Sequence, residues 1–185
     1  IVDNFEELDL LQEKIEGKFQ IGIRIASEEE PKFEFYTSRL GIGYKNILPF
    51  YRKNIVENPN VEVKMLHFFI NTGIRDTSYY WNELSKCLKV YTNLKKECTT
   101  LDSLNIGGGF PIKNSLAFDY DYAYMIDEII NQIKIACDEA DVAVPNIFTE
   151  FGSFTVGESG GAIYKVLYQK QQNDREKWNM IDSSF

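Results

Sequence analysis

Three consecutive glycines, Gly107 to Gly109, constrain the fold of this chain more than any other feature, because they directly follow an apolar run and precede a Phe-Pro pair. Glycine has no Cβ atom, so successive glycines let backbone N–H groups approach an anion such as phosphate closely. A strand is predicted over 101–106 ahead of the glycines, and a helix over 119–139 after them. Such strand-to-helix loops bind ligands in α/β folds, although a tight turn without a ligand would also use glycine.

The hydrophobic periodicity along the rest of the chain predicts an alternation of helices and strands. Successive strands recur about every 40 residues, which is a plausible unit length for a (β/α)8 barrel. Four or five strands cannot close an eight-stranded barrel, so the α/β fold is either a smaller doubly wound sheet or a section of a barrel. Helices are predicted over 4–15, 48–56, 78–97 and 119–139, and strands over 19–25, 61–70, 101–106, 146–149 and 159–168.

Composition and charge exclude several classes of protein. The 185-residue chain has a formal net charge of −8, which argues against a nucleic-acid-binding protein. It has no apolar run near the roughly 18 residues that a membrane span requires. Its three cysteines have no metal-type spacing, so we predict buried free thiols in a reducing compartment.

Polar side chains occur at the ends of three predicted strands. Arg24 is a charge within an apolar strand, where it is either paired or turned to solvent. His67, the only histidine, shares one strand face with Phe69 and Asn71, and it is either functional or an ordinary structural histidine. Glu150 closes a strand that we predict to be buried. Its carboxylate could pair with a protonated heterocyclic nitrogen, or it could form a simple salt bridge at a strand terminus.

Four segments together resemble the fold-type III pyridoxal-phosphate decarboxylases, and most closely the biosynthetic arginine decarboxylases. Residues 37–42 resemble the family's Ser-Lys-Phe-Gly segment, and residues 65–72 its Leu-His-Phe-His-Leu-Gly-Ser strand. Residues 104–111 resemble its Gly-Gly-Gly loop, and residues 150–153 its Glu-x-Gly-Arg turn. The segments occur in the family's order and at the spacing of barrel strands.

This resemblance implies a partial TIM (β/α)8 barrel of the alanine-racemase-like, pyridoxal-phosphate-binding type. Residues 1–170 would form a section of the barrel, and residues 171–185 would begin the connection toward a C-terminal β-domain. Because the chain starts at Ile1 and ends without a tail composition, we expect it to be a piece of a longer protein. The whole protein would be a cytoplasmic dimer or higher oligomer.

The resemblance also implies a site. Glu150 would keep the cofactor's pyridine nitrogen protonated, the three glycines would hold its phosphate with Thr72, and Arg24 would support the ring. The cofactor-binding residues expected from the resemblance are Arg24, His67, Phe69, Thr72, Gly107, Gly108, Gly109, Glu150, Gly152 and Ser153. The expected substrate-binding loop comprises Leu104, Asn105, Ile106, Gly107, Gly108, Gly109, Phe110, Pro111, Ile112, Lys113 and Asn114.

The chain departs from the family pattern at three positions. Phe69 stands where the family has a ring-stacking histidine, Asn71 where it has glycine, and Ser153 where it has a phosphate-binding arginine. The family's Schiff-base lysine and catalytic cysteine are expected outside residues 1–185, because Lys45, Lys64 and Lys113 match no family motif. The isolated chain is therefore predicted to be inactive.

Three functions remain open at this stage. The whole protein would convert arginine to agmatine and carbon dioxide for polyamine synthesis. It could instead be a non-catalytic relative that serves as a regulatory or scaffold subunit, or a barrel enzyme that binds a phosphorylated small molecule.

Overall fold

The computed structural model describes residues 1–27, 38, 40–70, 72–113 and 118–183. Its helices are α1 (Phe5–Lys14), α2 (Ile47–Asn54), α3 (Ser78–Glu97), α4 (Tyr122–Glu139) and α5 (Gly152–Val156), with a short 3-10 turn over Tyr44–Asn46. Its strands are β1 (Phe19–Ala26), β2 (Ile42–Gly43), β3 (Val61–His67), β4 (Ser103–Asn105), β5 (Asn146–Phe148), β6 (Val166–Gln171) and β7 (Lys177–Ile181).

Polar side chains fix where three of the helices begin. The Asn4 side chain accepts a hydrogen bond from the Glu7 N–H group at 2.8 Å, so α1 starts immediately after it. Thr77 and Asp121 cap α3 and α4 in the same way. Each cap satisfies one backbone N–H group that has no partner within its own helix. The helix predicted from residue 119 accordingly begins at Tyr122, after its cap.

The first five strands form one parallel sheet in the order β2-β1-β3-β4-β5. Val2 adds a further parallel bridge to Ile23 of β1. Helices α2, α3 and α4 directly precede β3, β4 and β5 along the chain, as parallel crossover connections require. The α/β class predicted from the sequence is confirmed.

Near the carboxyl ends of its strands, the sheet has one apolar face and one polar face. Ile23, Leu66 and Leu104 are aligned across β1, β3 and β4 and are completely buried. They share one hydrophobic cluster with residues of α3 and α4 such as Leu84 and Ile133. Because side chains alternate along a strand, the next residues in β1, β3 and β4 lie on the opposite face. That opposite face carries the candidate site.

The last two strands lie outside the parallel sheet. β6 and β7 pair with each other in an antiparallel ladder, and nearly all of their residues are exposed. The strand predicted over 159–168 is therefore displaced and begins at Val166. The hairpin spans the boundary predicted near residue 170, and the division into two domains stays a prediction.

Candidate functional site

A row of polar side chains crosses the sheet near its carboxyl edge. Arg24 of β1 is aligned with His67 of β3, and His67 is aligned with Asn105 of β4. His67 and Asn105 are only 6% and 7% exposed. The parallel direction of the strands brings these three residues together, although they are far apart in sequence.

Glu150 reaches this row from the segment that follows β5. Its Oε1 atom accepts a hydrogen bond from Asn105 Nδ2 at 2.9 Å and lies 3.5 Å from His67 Nε2. The strand that precedes it was predicted to be buried, and this is wrong: every residue of β5 is exposed. β5 has one neighbouring strand among the described residues, so much of its surface is left uncovered. The Glu150 side chain is consequently 48% exposed.

Asn105 joins the carboxylate to the glycine loop. Its Oδ1 atom accepts a hydrogen bond from the Gly107 N–H group at 2.8 Å while its amide donates to Glu150. The Glu150 N–H group in turn donates to the Gly107 carbonyl at 2.8 Å. Sequence analysis assigned Asn105 only to the expected substrate-binding loop. A polar residue within an apolar run was the sequence signal that pointed to this bridging position, and it was missed.

The His67 imidazole lies among charged groups and has little access to water. Burial lowers its pKa below the ordinary 6.5, the Glu150 carboxylate opposes this shift, and Arg24 reinforces it. The ring is therefore neutral at pH 7. Neither ring nitrogen has a hydrogen-bond partner among the described residues. Both ring nitrogens of His67 are thus buried beside Glu150 and Arg24 without a hydrogen-bond partner in the described part of the chain.

Arg24 occupies a similar environment. Its Nε atom is buried without a hydrogen-bond partner in the described part of the chain. Its guanidinium carbon lies 5.5 Å from the centre of the Phe69 ring, which is a cation–π contact. Phe69 follows the end of β3, so this contact places the aromatic ring beside the polar row. Asn71, predicted to share that face, lies outside the described residues.

The glycine loop has a packing role that sequence analysis did not separate from phosphate binding. A Cβ atom on Gly107 would lie 2.7 Å from the Phe68 carbonyl oxygen, and one on Gly108 would overlap the Glu150 carbonyl. Gly107 and Gly109 also have φ angles of 71° and 110°, which favour glycine. The loops after β3, β4 and β5 can meet closely only because these residues have no side chain.

Two N–H groups in the same loop, those of Gly108 and Gly109, donate to no acceptor among the described residues, although Gly108 is buried. The Gly109 carbonyl accepts from the Ile74 N–H group at 2.9 Å, and Gly73 packs directly against Gly109. The phosphate contacts expected of the glycines and of Thr72 stay predictions.

Gly152 and Ser153 begin the short helix α5. The Gly152 N–H group donates to the Glu150 carbonyl at 2.9 Å. Ser153 lines an open cleft of about 880 Å³ together with Pro111, Ile112 and Arg75. Sequence analysis did not single out Arg75. It supplies a guanidinium group to the cleft that Ser153 also lines.

The predicted substrate loop divides into buried and accessible parts. Leu104, Ile106 and Phe110 belong to the hydrophobic core, and Phe110 also lines the cleft of about 880 Å³. Lys113 lines a neighbouring cleft of about 470 Å³. Asn114 lies outside the described residues, as do residues 37 and 39 of the Ser-Lys-Phe-Gly-like segment.

An aromatic cluster supports this loop. The Phe110 ring lies 4.3 Å from the Phe151 ring and 5.8 Å from the Tyr122 ring, between centroids. The Tyr122 hydroxyl donates to the Pro111 carbonyl, and the Tyr120 hydroxyl donates to the Ile74 carbonyl. These contacts tie the loops after β3 and β4 to α4. The aromatic residues 118–122 were not recognised in the sequence as structural supports.

Other kinds of site are not found in the described part of the chain. No cluster of His, Cys, Asp and Glu side chains there could hold a metal ion. The predicted buried free thiols are confirmed for Cys87, Cys98 and Cys137. No described helix combines the length and apolarity that crossing a membrane would require.

Comparison with protein families identifies one match over most of the chain. Residues 1–157 match the model of the pyridoxal-dependent decarboxylases, pyridoxal-binding domain. A biosynthetic arginine decarboxylase from Pelobacter propionicus is 30% identical over 64% of this chain and 20% of its own length. A diaminopimelate decarboxylase from Bacillus methanolicus is 29% identical over 98% of this chain and 45% of its own. The chain thus spans less than half of either relative.

Solved structures support the barrel-type fold. A diaminopimelate decarboxylase from M. jannaschii superimposes with a TM-score of 0.73 at 24% identity, covering 98% of this chain and 44% of that one. A lysine decarboxylase from Selenomonas ruminantium gives a TM-score of 0.67 at 19% identity over 97% of this chain and 45% of that one. At these identities the likeness shows the fold alone. It confirms the predicted partial barrel class.

Proposed function

The chain belongs to the pyridoxal-dependent decarboxylases, and from this membership we propose that it is a section of the cofactor-binding barrel of an enzyme that decarboxylates a basic amino acid. Arginine is the first candidate substrate. The observation that carries the proposal is the Glu150 carboxylate, which Asn105 holds beside the glycine loop at the carboxyl edge of the sheet.

The residues at this edge fit pyridoxal phosphate, the cofactor of the family. The ring nitrogen needs a carboxylate, and Glu150 is half-exposed and ionisable. The phosphate needs hydrogen-bond donors, and the Gly108 and Gly109 N–H groups have no acceptor among the described residues. The buried, unpartnered nitrogens of Arg24 and His67 mark the same region as one built for a polar group.

Each residue would contribute a separate task. Glu150 would accept a hydrogen bond from the protonated ring nitrogen and so keep the proton there. Phe69, held by Arg24, would present an aromatic face to the ring. The glycine N–H groups and the Thr72 hydroxyl would donate to phosphate oxygens. When bound, the cofactor withdraws electrons from the substrate's α-carbon and thereby stabilises the negative charge left by loss of carbon dioxide.

The choice of substrate depends on the relatives. Arginine decarboxylases and a diaminopimelate decarboxylase match at nearly equal identity, so both substrates must be tested together with lysine and ornithine. A non-catalytic subunit is the second candidate function. It is favoured by Phe69, whose ring cannot donate a proton where the resemblance places a histidine.

We also propose a cytoplasmic, self-associating protein with a small amino acid as substrate.

The test is carbon dioxide release by the gene product that contains this chain, supplied with pyridoxal phosphate and each of the four amino acids. We expect release from arginine, loss of release in Glu150→Ala, and unchanged release in a control at an exposed carboxylate, Glu57→Ala. Release from another of the four would correct the substrate. No release and no cofactor absorbance would favour the non-catalytic subunit. The 185-residue chain alone is expected to release none.

A further inference from the structure

The Glu150 carboxylate is held through one of its two oxygens. Oε1 receives the Asn105 amide at 2.9 Å and lies 3.5 Å from His67 Nε2. Among the described residues, Oε2 receives no hydrogen bond. One oxygen is thus fixed by the buried strands β3 and β4, and the other remains available to a ligand.

Asn105 uses both the donor and the acceptor of its side-chain amide in this arrangement. The Asn105 amide donates to Glu150 while its carbonyl accepts from the Gly107 N–H group at 2.8 Å. An aspartate of the same shape would keep the contact with Gly107, but its ionised carboxylate would repel Glu150. The side chain therefore couples the direction of the carboxylate to the conformation of the glycine loop.

His67 completes the arrangement on the other side. The charged side chains that act on its imidazole are Glu150 and Arg24. A neutral imidazole lies against Oε1 without forming an ion pair. A cationic one would form an ion pair with Glu150 and compete with the protonated ring nitrogen for that carboxylate.

We propose that Asn105 is a positioning residue, which holds the Glu150 carboxylate so that its free oxygen meets the cofactor's ring nitrogen. This inference rests on the proposed function and adds to it a residue that acts through Glu150. Asn105 sets the direction of the carboxylate, and the His67 Nε2 atom, 3.5 Å from the same carboxylate oxygen, reports on that arrangement.

The binding test uses pyridoxine 5′-phosphate, which lacks an aldehyde and cannot form imines with surface lysines. Its partner probe is the 1-deaza analogue, in which a C–H group replaces the ring nitrogen. We expect Asn105→Asp to weaken binding of pyridoxine 5′-phosphate about tenfold, since a hydrogen bond to a charged group is lost. Binding of the deaza analogue should change little. Equal weakening of both probes would show a merely structural role and overturn the proposal.

A second variant keeps the test decisive if Asn105→Asp folds poorly. Glu150→Gln changes a half-exposed side chain and should selectively weaken the same probe. In the Glu150→Gln background, Asn105→Asp should have no further selective effect, because the two residues act as a unit. Additive losses in the double variant would contradict the proposed coupling.

The ligand-free chain supplies a readout that does not depend on the cofactor. His67 is the only histidine, so its imidazole signal can be followed by NMR during a pH titration without assignment. Asn105→Asp should raise the His67 pKa, because it adds a negative charge beside the ring. The matched control Asn60→Asp, in the turn before β3 at the opposite edge of the sheet, should leave the His67 pKa unchanged.

An unchanged His67 pKa in Asn105→Asp would overturn the arrangement itself. If wild type binds neither probe, the proposed function fails, while the titration still decides whether position 105 lies beside the His67 imidazole.

Discussion

Strands β4 and β5 are neighbours of equal length with opposite environments. Each has three residues, and they pair in register from Ser103 with Asn146 to Asn105 with Phe148. All three residues of β4 are buried, whereas all three of β5 are exposed. β4 has a strand on each side, but β5 has one among the described residues. The site combines the two: an exposed carboxylate beyond β5 is held by a buried amide from β4.

The largest expected difference between these strands is in stability. Leu104→Ala removes a completely buried side chain and should lower the free energy of unfolding by about 2–5 kcal/mol. Ile147→Ala, at the neighbouring position in β5, should cost about 1 kcal/mol or less, because Ile147 is already 36% exposed. Urea unfolding of the two variants measures this contrast. Equal losses would mean that β5 is covered in solution.

The next expected effect concerns the contact between the loops that follow the two strands. Gly108→Ala places a methyl group against the Glu150 carbonyl, so it should destabilise the chain by about 1–3 kcal/mol. Gly160→Ala has open space around the new methyl group and is the matched control. Thermal unfolding followed by circular dichroism compares them. An unchanged melting temperature in Gly108→Ala would show that the two loops can move apart at little energetic cost.

A third prediction concerns the pH dependence of the free energy of unfolding, because β3 carries the buried, titratable His67. Burial holds the His67 pKa below 6.5 in the folded chain, while the unfolded chain keeps the ordinary value of about 6.5. The unfolded state therefore binds the proton first as pH falls, and stability should be lost as the pH falls below about 6.5 toward the lower pKa of the folded chain. Each unit of pKa difference is worth about 1.4 kcal/mol.

The His67→Gln variant is the control for this titration. It should lose less stability than wild type over the same pH range in urea unfolding, because glutamine does not titrate. Parallel pH profiles for the two proteins would show that His67 is not responsible.

The smallest effect is expected at the hairpin. Trp178 of β7 is 55% exposed, so Trp178→Ala should change the free energy of unfolding by about 0.5 kcal/mol or less. The remaining tryptophan, Trp81, lies at the start of α3 and would still report on the unfolding of the parallel sheet by fluorescence. A large loss would indicate that the hairpin supports the sheet.

Sequence analysis succeeded where the signal was local. The 20-residue helix α3 was predicted at its observed bounds, because Leu84, Leu88, Tyr91 and Leu94 recur at helical spacing. The strand predicted over 61–70 ended early, at His67. Phe68 and Ile70 lie beyond the end of β3 but are still buried in the hydrophobic core, so their apolarity extended the predicted strand too far.

The sequence by itself determined the alternation of helices and strands, the glycine run and the polar residues at the strand ends, because periodicity and backbone freedom are local properties. Only the tertiary structure decided that Asn105 contacts Glu150, and that β4 is buried while β5 is exposed. Strand order and register bring residues 45 positions apart to 2.9 Å. Such pairings depend on how the whole sheet assembles, which no local pattern encodes.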